Sequence, residues 1–389
     1  MLTPPLLEPL SYHRAIAQHL RTHEPEVWQW TAAQVMRAEH QREVRTALLR
    51  ETYRLEQSAH PEAYADCAAV MAVLGLDEQV TLYQAADGAM NAALVFAPGE
   101  PHLIFHGPIL EKLTHEERVA LIGHELSHYK LWTAEDGAFH ICSQILEHAL
   151  AYPAAAGSHI ETARLYRLYT ELYADRGGAL AAGKPGPAIS TLVKTMTGLT
   201  NVDAEAYLRQ AAELDEQALT SHGVTHPEIF MRAQALEKWW RGDGDVDQWL
   251  SERIEGRMSM HTLDLRGQSE LAHMTRRFLA RLLGGSAGES AAALGLVQRY
   301  FPDWAGEAPI DLSVLSAARI DESVRDYLFA LSFDVAMADA DAKEDILRAA
   351  AEIARAMNAE EGYRAALSRD LRMPKRAVAK LLGPMRAPS

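Results

Sequence analysis

Leu121-Ile122-Gly123-His124-Glu125-Leu126-Ser127-His128-Tyr129 is the stretch whose reading decides the fold. His124 and His128 are four residues apart, so on a helix of about 3.6 residues per turn both imidazoles leave one face and can grip one metal ion. Glu125 projects to the side, where its carboxylate can take a proton from water activated by that metal. Hydrolysis of a peptide bond is the chemistry this arrangement suits. The competing explanation is a helix that carries HExxH by accident. With 17 His in 389 residues, the motif needs support from its surroundings.

Upstream, Thr114 followed by Glu117 is a capping-box signal that opens the helix. Before it stand two apolar runs, Asn91 to Phe96 and His102 to His106, around a turn at Pro98-Gly99-Glu100-Pro101, which predicts a hairpin. Glu78 to Tyr83 reads as a further short strand, and Gly75 as the end of a helix. An edge strand beside the metal would hold an extended peptide by its backbone. Residues 11 to 75 read as helices, with Trp28, Trp30, Val35, Val44, Leu48, Leu49 and Leu55 at helical spacing, and serve as a packing layer without chemistry.

Downstream, Phe139 to Gly157 is apolar but contains His140, Gln144, Glu147, His148 and Pro153, so it reads as a buried helix and its exit rather than a membrane span. A second helix covers about Ile160 to Ala182 and is broken at Lys184-Pro185-Gly186-Pro187. A helical stretch over Thr200 to Leu219 leads to the polar loop Ser221 to Pro227, and then to a helix from Glu228 to about Trp240. Arg241-Gly242-Asp243-Gly244-Asp245 is the best domain boundary. Beyond it, Leu271 to Leu283, Ser290 to Tyr300, Glu322 to Ala338, Lys343 to Met357, Glu360 to Leu367 and Lys375 to Leu382 predict a small helical bundle.

A hydrolytic zinc needs three protein ligands and one open position. After His128 a histidine-based extension would require Gly at 131 and His at 134; the chain has Leu131 and Ala134. A glutamate from a second helix is the other common solution, and Glu147 and Glu171 compete for it. Asp175, one turn after Glu171, can accept the free N–H of a ligand histidine, whereas Ala151 after Glu147 cannot. That favours Glu171 and keeps Glu147 as the alternative.

Asn91-Ala92-Ala93, the His124 to His128 helix, Glu171-Leu172-Tyr173-Ala174-Asp175 and the His226-Pro227 step with Arg232 behind it together resemble the gluzincin metallopeptidases of the HtpX and CAAX prenyl protease type, over roughly residues 65 to 240. The resemblance implies an α+β, mostly α-helical protein with a zincin catalytic domain containing a small antiparallel sheet. It implies one Zn2+ per chain on His124, His128 and Glu171, Glu125 as general base, and Asp175 behind a ligand histidine. It makes His226 an oxyanion-stabilising group, against the plainer reading of a surface-loop histidine. Asn91, Ala92, Ala93 and Arg232 would contact substrate, with a helix-surface salt bridge the plainer role for Arg232. The family's asparagine step is commonly followed by an aromatic, where this chain has Ala92-Ala93. Members of these types are also usually membrane-embedded, and no spanning segment is visible here.

Tyr327 to Leu367 more weakly resembles the helical TerB-like domain. There Asp339, Asp341 and Glu344 would offer oxygen ligands to a cation, although helix capping explains the same acidic composition and is favoured. The expected organisation is residues 1–75 as a helical region on the catalytic core, 76–240 as the metallopeptidase domain, 241–270 as a linker and 271–389 as the bundle.

Composition sets the remaining bounds. A net charge of −15 disfavours nucleic acid and anionic membrane surfaces as partners. Cys67 and Cys142 are isolated, and with no basic and apolar leader in Met1 to Leu10 this predicts a reducing, cytoplasmic setting. The expected function is a zinc metalloendopeptidase acting on protein or peptide substrates, with a C-terminal domain that docks a partner or regulates access. The alternatives are a catalytically silent zinc-site binding module and an aminopeptidase using Glu147.

Overall fold

Proline and glycine punctuate the N-terminal elements. Helices α1 (Ser11–His23), α2 (Pro25–Val35), α3 (Ala38–Glu51) and α4 (Pro61–Leu74) come first in the computed structural model, with Pro25 and Pro61 opening their helices, where a missing N–H costs nothing. Gly75 closes α4 at φ 64°, a left-handed conformation that glycine adopts without a Cβ penalty. Leu48 and Leu55 are buried, but Trp30 and Leu49 face outward, so the apolar spacing marks the packing layer only in part. The structure describes residues 5–35, 38–86, 88–152, 154–284, 288 and 290–383, without the side chains of 35 and 38–40. The Val35 side chain, Pro153 and residues 1–4 and 384–389 of the expected terminal regions lie outside the described residues.

The chain divides into two compact units, Met1–Gly256 and Arg257–Ser389. In the first, strands β1 (Thr52–Arg54), β2 (Thr81–Ala85), β3 (Asn91–Ala97) and β4 (Glu100–His106) form one sheet in the order β1-β2-β4-β3. β3 and β4 are the expected antiparallel hairpin, with Asn91 opposite His106 and Ala97 opposite Glu100. β2, however, runs parallel to β4, so the sheet is mixed and the expectation of an antiparallel one is corrected. The tight turn after Ala97 fixes β3 on one side of β4 and leaves only its other side for β2, which runs in the same direction. β1, three residues long, is too short for alternation to reveal. The arrangement leaves β3 as an edge strand.

Helix α5 (Ile109–Lys112) leads into α6 (His115–Ala151), whose capping box is complete: Glu117 N–H donates to Thr114 Oγ1 and Thr114 N–H to the Glu117 carboxylate. α6 is interrupted at Ala134–Gly137, where Glu135, Asp136 and Gly137 all have positive φ. Helices α7 (Gly157–Ala182), α8 (Pro185–Thr197), α9 (Ala204–Asp215), α10 (Ile229–Arg241) and α11 (Val246–Leu250) follow. Pro185-Gly186-Pro187, read as a break, is the first turn of α8. Among the described residues no helix is long and apolar enough to cross a membrane.

In the second unit, α12 (Leu265–Leu282), α13 (Ala291–Tyr300), α14 (Glu322–Met337), α15 (Lys343–Ala356), α16 (Glu360–Asp370) and α17 (Lys375–Leu382) surround a core that includes Phe278, Leu328, Ile346 and Tyr363. The division after Gly256 falls beyond the Arg241 to Asp245 run. Residues 241–270, expected as a linker, carry α11, a π-helical turn at Ser251–Glu255 and the start of α12. The chain as a whole is mostly helical with a small mixed sheet.

Candidate metal centre

The site depends on how closely α6 and α7 approach. A Cβ added to Gly177 would stand 1.6 Å from Ser127 Oγ, one on Gly178 2.7 Å from the Ala120 carbonyl oxygen, and one on Gly123 2.5 Å from Ala181 Cβ. Only glycine lets the two backbones touch there. Across that seam His124 and His128 on α6 and Glu171 on α7 bring one ligand atom each within 4.8 Å of the others. His124 Nε2 lies 3.5 Å from Glu171 Oε2, and His128 Nε2 3.7 Å from Glu171 Oε1. Two ligands about 2.0–2.2 Å from a tetrahedral zinc would be about 3.3–3.6 Å apart. Glu171 Oε2 is buried and faces His124 Nε2 at 3.5 Å and the Arg232 guanidinium at 3.1 Å. Donor types and spacing fit a metal ion.

Behind these three residues the charges interlock. His124 Nδ1 donates to Asp175 Oδ1 at 3.1 Å, which directs the Nε2 lone pair to the cluster. Arg232 grips Asp175 through two bonds, 2.8 Å from Nε and 2.7 Å from a terminal nitrogen, and that same nitrogen is 3.1 Å from Glu171 Oε2. Burial alone would raise the Glu171 and Asp175 pKa values, but Arg232 and the histidines hold both below the usual range. Burial with His124 and Arg232 nearby pushes His128 down to about 4, the neutral form that a ligand needs. For His124, burial is overcome by the Asp175 and Glu171 carboxylates, which raise it to about 10.

Glu125 is buried beside this cluster, and burial and Glu171 raise its pKa to about 7, opposed by His124 and by the Leu94 N–H of β3, which donates to it. Such a carboxylate can take and return a proton near neutral pH. His226 reaches in from the Ser221 to Pro227 loop with Nε2 3.5 Å from Glu171 Oε2, its side chain 58% exposed and its Nδ1 2.9 Å from Thr225 Oγ1. The loop is held by the Arg164 guanidinium donating to the Gly223 carbonyl and by Ser221 N–H donating to the Arg253 carbonyl. Gly223 is sterically required, because a Cβ there would lie 2.0 Å from the His226 carbonyl oxygen.

Asn91, Ala92 and Ala93 line a cleft of about 620 Å3 together with His124, Glu125, His128, Glu171 and His226. Arg232 also borders it but is buried, with its guanidinium committed to Asp175 and Glu171. Its ion pairs with Asp175 and Glu171 are buried rather than on a helix surface. Glu147 lines the same cleft but is bonded to Arg167 and is not part of the ligand cluster. Asp339 of the second unit accepts from Ser290 Oγ and from Asp341 N–H in the loop before α15, whose N-cap is Ala342.

This geometry sits inside a stretch with known relatives. Residues 61–240 match the family described as Peptidase family M48. Plastoglobule-localized metallopeptidase 48, chloroplastic, of Arabidopsis thaliana is 26% identical over 184 residues, covering 42% of this chain and 53% of that protein. The chain thus spans about half the length of this relative. No solved structure matches it.

Several features of this stretch escape a reading of its motifs. The Gly177-Gly178 pair inside α7 could be noticed as two helix-weakening residues beside a ligand. Nothing local announces that Leu94 bonds Glu125, or that Trp132, one turn after His128, lies 5.6 Å from its ring and walls the cleft.

Proposed function

We propose that this chain is a zinc-dependent metalloendopeptidase of the gluzincin type, with one Zn2+ held by His124 Nε2, His128 Nε2 and Glu171. The observation that carries the reading is the convergence of those three donors beside a buried carboxylate, Glu125, whose pKa is raised to about 7. The M48 match and the metallopeptidase name of the Arabidopsis relative support it. When bound, zinc acts as a Lewis acid and lowers the pKa of water, providing a nucleophile at neutral pH. Glu125 accepts the proton of that water on its carboxylate and returns it to the leaving amine. His226 Nε2 donates to the oxygen on which charge develops. Asp175 fixes the His124 tautomer, and Arg232 keeps Asp175 and Glu171 ionised. The free edge of β3 pairs with the substrate backbone, which gives broad sequence preference.

Internal cleavage is favoured over removal of terminal residues because the cleft continues past the ligands in both directions. One end reaches Thr191 of α8, beside Glu117 and Ala120 at the start of α6; the other reaches Glu147 and Arg167 near its end. Within the family the HtpX and CAAX prenyl protease subtype is the proposed affinity. The buried free thiols Cys67 and Cys142 fit a cytoplasmic setting. The second unit is proposed to dock a protein partner or regulate access, as a TerB-like helical domain. Zinc analysis coupled to peptide assays tests the reading. It predicts about one equivalent of zinc, lost in His124→Ala, His128→Ala and Glu171→Ala but kept in Glu147→Ala, and equal cleavage of N-terminally blocked and free peptides. Retention of zinc in Glu171→Ala with loss in Glu147→Ala, and a need for free amines, would move the assignment to an aminopeptidase.

A further inference from the structure

One charged pair in the cleft wall has no part in the proposed chemistry. Arg167 donates to Glu147 through Nε at 2.8 Å and a terminal nitrogen at 2.5 Å, a bidentate bridge between α7 and the second half of α6. The two side chains are 31% and 43% exposed, so a molecule in the cleft can reach them. Arg167 stands four residues before Glu171 on the same face of α7, one helical turn or about 6 Å along its axis. Side chains on one face of an extended peptide repeat every two residues, about 6.6 Å apart. A peptide with its scissile bond at the ligand cluster therefore places a side chain one or two residues from the cut over this pair. The opposite end of the cleft, at Ala188, Thr191 and Leu192, offers no such charge.

We propose that Glu147 and Arg167 form a specificity subsite that selects an uncharged hydrogen-bonding side chain, an amide or hydroxyl, one or two residues from the scissile bond. This rests on the peptidase reading above. Their mutual bridge occupies only part of the guanidinium's fork of donors and leaves lone pairs on both carboxylate oxygens, so the pair presents donors and acceptors side by side. Each charge is balanced by its partner, so an ionised substrate side chain gains from one member and is repelled by the other. An amide or hydroxyl loses nothing on this account and can bond both. Removing either charge converts the subsite into one selective for the opposite sign.

The test is cleavage-site profiling of a peptide library by mass spectrometry with the full-length, zinc-loaded chain, its Glu147→Gln and Arg167→Gln variants, and N-terminally acetylated and free versions of the library. Wild type is expected to favour Asn, Gln, Ser or Thr at one position near the cut. Glu147→Gln should shift that position toward Asp and Glu, and Arg167→Gln toward Lys and Arg, each by roughly two- to fivefold, with other positions unchanged. Identical profiles for all three proteins would overturn the proposal, as would a uniform loss across all sequences with a lowered thermal midpoint, which marks a purely structural bridge. A preference for free amines that Glu147→Gln removes would assign Glu147 to terminal-amine capture and equally overturn it. A zinc-loaded wild type that cuts nothing would instead refute the peptidase reading, and this subsite with it.

Discussion

The two units of this chain bury different things. The second has an apolar interior in which Asp264, Thr275, Ser290 and Ser332 are the buried polar residues among those described, and Asp264 and Ser290 are helix caps. The first buries His13, Asp66, Glu117, Glu125, His128, Asp175, Arg176, Lys194 and Arg232. Charges removed from water cost several kcal/mol each unless paired. Most of these are paired: Lys194 with Glu117 at 2.7 Å, Arg118 with Asp66 at 2.5 Å, and Arg232 with Asp175. The difference teaches where to look for chemistry: a fold tolerates such burial where the charged groups have a task, and the pairs around Asp175 surround the ligand cluster.

Breaking that network should produce the largest effect. Arg232→Met keeps bulk but strands Asp175 and Glu171, and should destabilise the first unit by about 3–5 kcal/mol and weaken zinc binding. Chemical denaturation followed by tryptophan fluorescence, with zinc titration, checks both, and an unchanged midpoint would show the charges to be solvated. Gly177→Ala comes next. Its Cβ cannot coexist with Ser127 Oγ, so α6 and α7 must separate, at a cost of about 1–3 kcal/mol and with loosened zinc affinity.

The comparison also has a pH dimension. His13 on α1 is buried, 3.2 Å from Thr170 Oγ1, and burial with Arg176 and Arg14 nearby pushes its pKa down to about 3. As pH falls below about 6.5 the unfolded chain takes up a proton there that the folded one refuses. His13 therefore removes stability by about 1.4 kcal/mol per pH unit until its folded pKa is reached. His13→Gln should flatten the acid limb of the first unit's stability profile, and parallel profiles for the two proteins would contradict it. The smallest effect belongs to the second unit. Gly362 lies inside α16 with open space around its Cβ position, so Gly362→Ala should stabilise that unit by roughly 0.5–1 kcal/mol and leave zinc content untouched, as thermal unfolding would report.

What the sequence disclosed was whatever local rules govern. The capping box at Thr114, the hairpin around Pro98-Gly99, the left-handed stop at Gly75 and most helices of the second unit follow from residues within one or two turns. Helical spacing put His124 and His128 on one face, and Asp175 one turn after Glu171 pointed to the helix that meets them. Features fixed by distant contacts were not legible. The parallel pairing of β2 with β4 depends on which side of the hairpin is vacant, and the role of Arg232 on Asp175, 57 positions earlier on α7. The interruption at Glu135-Asp136-Gly137 carries a turn signal in its Asp-Gly step, but the apolar spacing on either side masks it. The break at Lys184-Pro185 is real, and the proline that marks it also opens α8, which periodicity alone left unassigned.

The central claim is that Glu125 is the base of a zinc peptidase, and Glu125→Gln tests it most directly. The substitution keeps size and hydrogen bonding to Leu94 N–H while removing the basic carboxylate, so zinc content and thermal midpoint should match wild type. Cleavage of an unstructured protein such as casein, followed by gel and mass spectrometry, should fall by about 10²- to 10⁴-fold. Equal cleavage by the two zinc-loaded proteins would place the activity elsewhere and contradict the account.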